Sequence, residues 1–239
     1  MTYIKLKSIR YKKKFMITIS MFFLLYNLNI NNKIHSNNIV LADVYKNNNI
    51  DKQENSYDNN ITNTDKKSVV FIEKQLKKIY AIVNDNSIPK ENQLKKLQDI
   101  LKNSLDIEWM AKFVLGPKWN TLNSDKQKQY VKAYCNYLMN SYAPNFLKYS
   151  SQEITVVGSK PVSHGQYIVL TKVTDPNNSN SEILVSYRCK QYQDSIMIRD
   201  VIGEGISMIS TQRSEFSDVI RQGGADTLID TLSKMPAKK

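Results

Sequence analysis

The sequence predicts an α+β fold of N-terminal helices, a four-stranded antiparallel twisted sheet and C-terminal helices, which can enclose an apolar cavity if the layers are splayed. Apolar residues recur at helical spacing over about 66–143, and they alternate with period two over about 153–207. Helical spacing then returns and continues to about residue 234. Neighbouring strands joined by short turns pair antiparallel, and helices then pack on the sheet. Composition alone does not distinguish a packed core from a cavity between splayed layers, which is a common kind of small-molecule site.

Three helices are predicted before the most informative one. The first covers about 66–84, and the second begins near Ser87 and Pro89. The third runs from about Asp106 to Gly116-Pro117, where a glycine followed by proline predicts the helix end.

The fourth helix carries a wide apolar face that is rich in tyrosine. Ser124 with Gln127 three residues later is a capping-box pattern and predicts its start. Its bulky apolar-face residues recur every four positions, namely Tyr130, Tyr134, Leu138 and Tyr142. Pro144 is expected to kink or end it.

Four strands and two helices complete the predicted fold. The strands cover 153–159, 165–175, 181–192 and 195–207, with glycine, proline, asparagine and aspartate at the turns between them. The closing helices cover about 207–221 and 224–234.

The N-terminus is typical of a secretory signal peptide, which we place at 1–42. Residues 1–14 are basic, and the apolar run 15–28 is too short to span a bilayer comfortably. Cleavage is expected after Ser36 or Ala42, with Ala42 favoured, and an uncleaved anchor is the alternative. The 1–42 segment holds seven of the 34 basic residues and no acidic one, so removing it lowers the net charge from +12 to +5. That value gives little support to a nucleic-acid partner.

A disordered spacer is predicted for 43–65, followed by one domain at 66–239. Asparagine makes up 13 of the 37 residues from Asn27 to Asn63, and the segment has no sustained apolar period. Such a sequence cannot bury enough apolar surface to become ordered.

Two cysteines, Cys135 and Cys189, leave two interpretations open. An exported protein can join them in a disulfide. Two buried free thiols that pack as small apolar groups are the favoured interpretation.

The sequence lacks the usual patterns of catalysis and metal binding. It has two histidines, His35 and His164, and no CxxC, HExxH, GxSxG or phosphate-loop pattern. Asp200 and Glu204 are the only acid–base pair that we would consider for an enzyme. A structural role for both, at a tight turn, is favoured over catalysis. No catalytic residue, metal site or cofactor is predicted.

A series of motifs resembles one family. Asp106-x3-Met110-Ala111-x-Phe113-Val114-Leu115-Gly116-x2-Trp119 comes first, followed by the tyrosine-lined helix that ends in Tyr142-Ala143. Asp200-Val201-x2-Glu204-Gly205-Ile206-Ser207, Arg213-Ser214-x-Phe216 and Gly223-Gly224-x3-Leu228 then follow in order. This series, over about 66–235, resembles the periplasmic phospholipid carriers named MlaC, also called toluene-tolerance or ABC-transporter auxiliary proteins. Ile196 stands where the family tends to have tryptophan.

The resemblance implies a periplasmic lipid-transfer protein without enzyme activity. Such a carrier holds phospholipid acyl chains in an apolar pocket. It shuttles lipid between an outer-membrane lipoprotein–porin complex and an inner-membrane ABC transporter with its substrate-binding subunit, which maintains outer-membrane asymmetry. A periplasmic adaptor of an ABC transporter that binds no lipid is the alternative.

The expected pocket residues come from the apolar faces of the predicted elements. They are Met110, Val114, Trp119, Tyr134, Leu138 and Tyr142 on helices, and Ile168, Leu170, Val185, Tyr187, Ile198 and Ile206 on the sheet side. For each of them a plain core role is an equal alternative.

The segment GEGIS is expected to form the turn where the last strand leaves the sheet. Gly203 and Gly205 are expected to allow backbone geometry that other residues avoid. Asp200 and Glu204 are expected to fix the turn by hydrogen bonds, with Arg213 as a candidate partner.

Overall fold

The computed structural model describes residues 63–148, 150–176 and 178–236. Within these ranges, four α-helices precede an antiparallel sheet and a long helix follows it, which confirms the predicted α+β class. The predicted signal peptide, 1–42, and most of the predicted spacer, 43–65, lie outside the described residues. No helix in the described ranges is both long and apolar enough to cross a membrane.

The helices begin and end close to the predicted positions. Their bounds are α1 Asn63–Val83, α2 Lys90–Ser104, α3 Ile107–Leu115, α4 Ser124–Lys148 and α5 Met208–Ser233. Gly116 ends α3 with a φ of 62°, as its glycine predicts, and a 3-10 helix, Gly116–Thr121, then leads towards α4.

The start of α4 is capped one residue earlier than the sequence pattern indicates. Asn123, not Ser124, supplies the cap, because its side-chain oxygen accepts from the Lys126 amide at 2.9 Å. Gln127 does not close a capping box; its side chain donates to the carbonyls of Trp119 and Leu122. It therefore ties the first turn of α4 to the 3-10 helix.

Of the two outcomes expected at Pro144, a kink or the end of α4, the end is wrong. The helix continues to Lys148. Proline removes one main-chain donor from the helix and crowds the preceding turn. In that turn the Asn145 side-chain amide donates to the Ser141 carbonyl at 3.2 Å, which supplies a donor where the helix is weakened.

The sheet has five strands rather than four, paired in sequence order as an antiparallel meander. The strands are β1 Glu153–Ser163, β2 Gln166–Asp175, β3 Asn178–Gln191, β4 Ile196–Gly203 and β5 Ile206–Ser207. The fourth predicted strand is split because the chain reverses at Glu204-Gly205, and Ile202 then pairs with Ser207. Positive φ angles of 49° at Glu204 and 79° at Gly205 fit the tight two-residue hairpin turn that matches sheet twist.

The last helix folds back along α4 at a glycine. Gly224, with φ 75° and ψ 179°, interrupts α5, which confirms the two closing helical segments predicted. Before Gly224, Gln212 contacts Tyr142 and Tyr134 of α4. After it, Asp226 contacts Lys126 and the Met235 carbonyl accepts from Asn140. The two arms of α5, 208–223 and 225–233, therefore run in opposite directions along α4.

The hydrophobic core is centred on α4. Ile79 of α1 and Leu97 of α2 pack with Ala143 near its C-terminal end. Phe216 and Leu228, from the two arms of α5, are also completely buried. Burying a side chain of this size contributes about 1.5–3 kcal/mol, so enclosure of α4 is a main source of stability.

The cysteines are both free, as the favoured interpretation has it, although Cys135 is only half-buried. Burial raises the pKa of the Cys189 thiol to about 12. At neutral pH this thiol is therefore protonated and unreactive.

We expect Gly224→Ala to lower the free energy of unfolding by about 1–3 kcal/mol, because its φ and ψ are open almost only to glycine. A methyl group there meets no atom within 4 Å, so the loss of stability comes from backbone strain and not from a steric clash. Urea denaturation of the purified chain measures it.

Gly158→Ala is the matched control. It adds a methyl group in equally open space on β1, without a positive φ. Equal stability of the two variants would contradict the role assigned to Gly224.

Candidate functional site

The helical part of the predicted pocket comes together between α3, α4 and α5. Met110, Val114, Tyr134 and Leu138 are all at most 1% exposed. Of the two other helical candidates, Tyr142 is half-buried and so is Trp119, which lies on the 3-10 helix. The candidate site is therefore an apolar interior whose side chains come from separate helices.

Aromatic rings form a continuous series through this interior. Tyr134 stacks on Tyr130 with ring centroids 6.0 Å apart, and it meets Tyr137 at 6.1 Å. Phe216 of α5 stands edge-on to Tyr134 and Tyr137, at 6.2 and 5.6 Å. Edge-on aromatic pairs add about 0.5–1.5 kcal/mol to the burial of their area, so this series stabilises the contact between α4 and α5.

Gln212 connects two tyrosine hydroxyls inside the apolar region. Its side-chain oxygen accepts from the Tyr134 hydroxyl at 2.6 Å, and its nitrogen donates to the Tyr142 hydroxyl at 3.1 Å. Burial raises the pKa of both phenols, for Tyr142 to about 12, so both are neutral at physiological pH. Gln212 was missed from sequence because one polar residue on a charged helix gives no signal.

The sheet-side candidates divide between the two faces of the sheet. Directly paired residues of an antiparallel sheet share a face. Ile168 pairs with Arg188, and Leu170 pairs with Ser186. Tyr187 pairs instead with Val169, and therefore lies on the opposite face.

The remaining sheet-side candidates follow the same register. Val185 is two residues from Tyr187, and Ile198 pairs with Cys189, so both share the face of Tyr187. Ile206 lies in β5 and is 45% exposed. The six predicted sheet-side residues therefore cannot line one side of a pocket together.

Ile168 and Leu170 share a face of the sheet, and both are half-buried. Asp200 pairs with Arg188 and so lies on this face. The Asp200 charge acts on Tyr134 and Tyr142, which contributes to the raised pKa of each phenol. On the opposite face, burial raises the pKa of Tyr187 to about 12, and the nearby Tyr80 hydroxyl of α1 adds to this shift.

Asp200 holds the start of α5. Its carboxylate accepts from the Ser207 hydroxyl at 2.7 Å and from the Ile209 amide at 3.2 Å. Ser207 in turn caps the helix by accepting from the Ser210 amide. A carboxylate at a helix N-terminus also interacts favourably with the helix dipole.

Glu204 fixes the turn before β5 by bonds to a neighbouring strand. Its amide donates to the Leu184 carbonyl at 3.0 Å, and its carboxylate accepts from the Leu184 amide at 2.8 Å. These bonds extend the β3–β4 ladder beyond the Val185–Gly203 pair. The positive φ angles fall on Glu204 and Gly205, so the expectation for Gly203 is wrong.

Arg213 lies next to α3. Its guanidinium stands over the Phe113 ring at 5.1 Å. It also lies so close to Gly116 that a Cβ there would be 3.0 Å from it. Arg213 therefore packs the first arm of α5 on the end of α3 rather than fixing the GEGIS turn.

The two carboxylates considered for catalysis are held by different partners. Burial raises the pKa of Asp200, as an acid–base role would require. Both of its oxygens nevertheless accept bonds from the start of α5, whereas the Glu204 carboxylate is bonded to β3. The geometry favours structural roles for both. In the described part of the chain no three His, Cys, Asp or Glu residues are grouped to hold a metal ion.

An ion pair that sequence analysis did not identify joins α3 to β4. Arg199 donates to the Asp106 carboxylate at 2.9 Å, and its guanidinium lies 4.4 Å from the centre of the Trp109 ring. The Tyr192 hydroxyl donates to Asp106 and accepts from Arg199. Asp106 and Arg199 side chains are only 12% and 13% exposed, so water screens their attraction weakly.

A family model described as "MlaC protein" matches residues 53–234, which is most of the chain. The chain belongs to the MlaC family. This confirms the family resemblance of the sequence motifs between residues 66 and 235.

Two relatives illustrate how far the family similarity extends. The chain is 20% identical over 171 residues to "Intermembrane phospholipid transport system binding protein MlaC" of Haemophilus influenzae, covering 69% of this chain and 80% of that protein. Among solved structures, a phospholipid-binding protein of Ralstonia solanacearum in complex with a phospholipid aligns with a TM-score of 0.59. That alignment is 17% identical and covers 69% of this chain and 94% of the other, and it shows a shared fold.

Removing Arg199 should leave the Asp106 carboxylate without its cation in a poorly solvated position. We expect Arg199→Met to lower the free energy of unfolding by about 2–4 kcal/mol. Lys95→Met is the control, because the Lys95–Glu91 pair is largely exposed and should contribute under about 0.5 kcal/mol. Urea denaturation measures both, and similar losses would contradict a special role for the Asp106–Arg199 pair.

The raised pKa of Asp200 predicts a pH dependence of stability. In the unfolded chain its pKa is near 3.8, and in the folded chain burial places it higher. Asp200 therefore favours folding most below pH 3.8, and this contribution declines as the pH rises through the folded-state pKa.

As the pH rises from about 3.8 through the folded-state pKa of Asp200, we expect the free energy of unfolding of Asp200→Asn to increase relative to that of the natural chain. Urea denaturation at several pH values tests this. If the natural chain instead becomes more stable relative to Asp200→Asn as the pH rises, the folded-state pKa of Asp200 lies below that of the unfolded chain. The bonds from Ser207 and Ile209 would then lower this pKa by more than burial raises it.

Proposed function

We propose that this chain is a periplasmic lipid-transfer protein. It takes up a phospholipid, holds the acyl chains in the apolar interior between α3, α4, α5 and the sheet, and releases the lipid at a second membrane complex. The observation that carries the proposal is membership of the MlaC family over residues 53–234. The N-terminal sequence, which is typical of a signal peptide, supports a location beyond the inner membrane.

The energetics of lipid transfer support a carrier without catalytic groups. Each buried methylene contributes about 0.8 kcal/mol, so leaving two acyl chains in water costs on the order of 20 kcal/mol. A protein that moves lipid across an aqueous space needs an apolar enclosure and a way to open it. It needs no nucleophile, acid–base pair or metal, and we propose no enzyme activity.

The acyl chains would lie along the tyrosine series of α4. Met110, Val114, Tyr134, Leu138 and Tyr142 would line the helical side. Ile168 and Leu170 would line the sheet side, because they share the face of Asp200, which acts on Tyr134 and Tyr142. This arrangement does not require the other five pocket residues that the sequence predicts. Their role in lipid binding stays a prediction; they are Trp119, Val185, Tyr187, Ile198 and Ile206.

The first arm of α5 is the element that we propose to move. Its start is fixed by Asp200 and its end by Gly224, where the backbone reverses. Between these points Gln212 and Phe216 contact the tyrosines of α4. Displacing this arm would separate the aromatic series and admit acyl chains without unfolding either end.

The proposed partners are the complexes that such a carrier visits. These are an outer-membrane lipoprotein–porin complex and an inner-membrane ABC transporter with its substrate-binding subunit. The relative from Haemophilus influenzae is named for an intermembrane phospholipid transport system, which supports this assignment by analogy. Transfer between these complexes would maintain outer-membrane lipid asymmetry.

Native mass spectrometry of the purified chain tests lipid binding directly. We expect about one phospholipid per chain, either co-purified or acquired from liposomes, because the interior gives acyl chains an alternative to water. Leu138→Asp, which places a carboxylate in the proposed pocket, should reduce lipid loading.

Ile206→Asp is the control, since Ile206 is already 45% exposed and lies outside the proposed pocket. Circular dichroism confirms that the compared variants are folded. A lipid-free mass that persists after incubation with liposomes would contradict the carrier and favour an adaptor that binds no lipid.

A further inference from the structure

The hydroxyl group of Tyr130 is unlike the other polar groups of the apolar interior. Tyr130 is completely buried, and its hydroxyl has no hydrogen-bond partner among the residues that the structure describes. Buried polar groups of native proteins are nearly always paired, because an unpaired one loses its bonds to water without replacement. The hydroxyl is therefore a candidate for a bond to something other than the chain.

The neighbouring tyrosines show how the chain satisfies such groups elsewhere. Tyr134, one helical turn after Tyr130, donates to Gln212, and Tyr142 accepts from the same side chain. Tyr130 lies next to Tyr134, with ring centroids 6.0 Å apart, and so belongs to the same series. It differs in that α5 provides no glutamine for it.

The composition of α5 explains this difference. The first arm of α5 runs antiparallel to α4, because Tyr142 and Tyr134 both meet Gln212 and Tyr134 also meets Phe216 further along. One turn beyond Phe216 come Val219 and Ile220, whose side chains have no polar atom. These two side chains therefore cannot repeat for Tyr130 the bond that Gln212 makes with Tyr134.

The electrostatic surroundings of Tyr130 indicate what chemistry fits there. Burial alone raises its pKa, and no charged side chain of the described residues contributes to that shift. An ionised phosphate at this position would lose its hydration without gaining a cation. A neutral acceptor such as a carbonyl oxygen requires only a donor, which the phenol is.

We propose that the Tyr130 hydroxyl donates a hydrogen bond to an ester carbonyl of the bound phospholipid. This inference rests on the proposed function, and it places the linkage between glycerol and acyl chains beside the N-terminal half of α4. The ester carbonyls are the neutral acceptors that lie between the head group and the hydrocarbon of a phospholipid. Tyr130 thereby fixes the depth to which the lipid enters.

Ester and ether lipids separate this bond from general lipid binding. The test measures the loading of diacyl phosphatidylglycerol and of its dialkyl ether analogue, which has the same chains and head group but no carbonyls. Native mass spectrometry under competition gives the ratio of the two. We expect the natural chain to bind the ester lipid about five- to tenfold more tightly, the value of one neutral hydrogen bond.

Tyr130→Phe should bind both lipids equally, at the level that the natural chain shows for the ether lipid. Tyr80→Phe is the matched control outside the proposed pocket, because its hydroxyl already donates to the Gln152 carbonyl and accepts from the Ile154 amide. It should keep the preference for the ester lipid. Without lipid, Tyr130→Phe should melt at the same temperature as the natural chain or higher, whereas Tyr80→Phe, which loses two hydrogen bonds, should melt lower.

Each other outcome overturns the proposal in a distinguishable way. If the natural chain binds the two lipids equally, it still binds lipid, but the proposed hydrogen bond to an ester carbonyl does not exist. An ester preference that persists in Tyr130→Phe assigns the bond to another residue. A lipid-free Tyr130→Phe that melts lower, or does not fold, shows that the hydroxyl already has a partner within the protein. Failure of the natural chain to bind either lipid refutes the proposed function, and this inference with it.

Discussion

The reversal of α5 at Gly224 is the constraint on which the enclosure of α4 depends. A helix as long as α4, 25 residues, exposes a large apolar face unless other elements surround it. In the described part of the chain, 26 residues of helix follow the sheet, and they cover two sides of α4 because the backbone turns back at one glycine. Asp200 fixes where the first arm begins, and contacts with Lys126 and Asn140 fix where the second arm lies. Continuing α5 straight through residue 224 would carry Leu228 and Leu232, both buried in the structure, away from α4.

Tyrosine in this interior presents a chemical problem that Gln212 solves for two residues. A phenol contributes a large apolar ring, but its hydroxyl must keep a bond when water is removed. One amide side chain can accept from one hydroxyl and donate to another, and Gln212 does both. The raised pKa values of these phenols keep them neutral, so the two hydroxyls add hydrogen-bonding groups without adding charge. Their bonds to Gln212 are also specific in position.

The sequence predicts local structure well here and predicts long-range contacts poorly, for identifiable reasons. Helix and strand periods, the glycine at the end of α3 and the glycine pair near residue 224 are local signals, and each corresponds to an observed element or boundary. The extension of α4 beyond Pro144 and the separate strand β5 depend on small local energies that the pattern does not show. The Asp106–Arg199 pair joins residues 93 apart, so nothing near either residue indicates the other. The division of the sheet-side candidates follows from strand register, which alternation within one strand does not determine.

The balance between the packed interior and a lipid-filled one depends on polar contacts more than on apolar area. If the first arm of α5 moves away from α4, apolar side chains separate and acyl chains cover them instead. The apolar side chains are then shielded from water in both states, by each other in the packed state and by acyl chains in the lipid-filled state. The hydrophobic contributions to the free energies of the two states therefore largely cancel. What does not cancel is the set of directed bonds. The Gln212 bonds to Tyr134 and Tyr142 favour the packed state, whereas the Tyr130 hydroxyl gains a partner only in the lipid-filled state that we propose. Each such bond is worth about 0.5–1.5 kcal/mol, so in the proposed carrier the two states would be close enough in free energy for lipid to enter and to leave. A carrier built this way can hold a very insoluble ligand and still release it, because most of the binding energy is exchanged rather than newly gained.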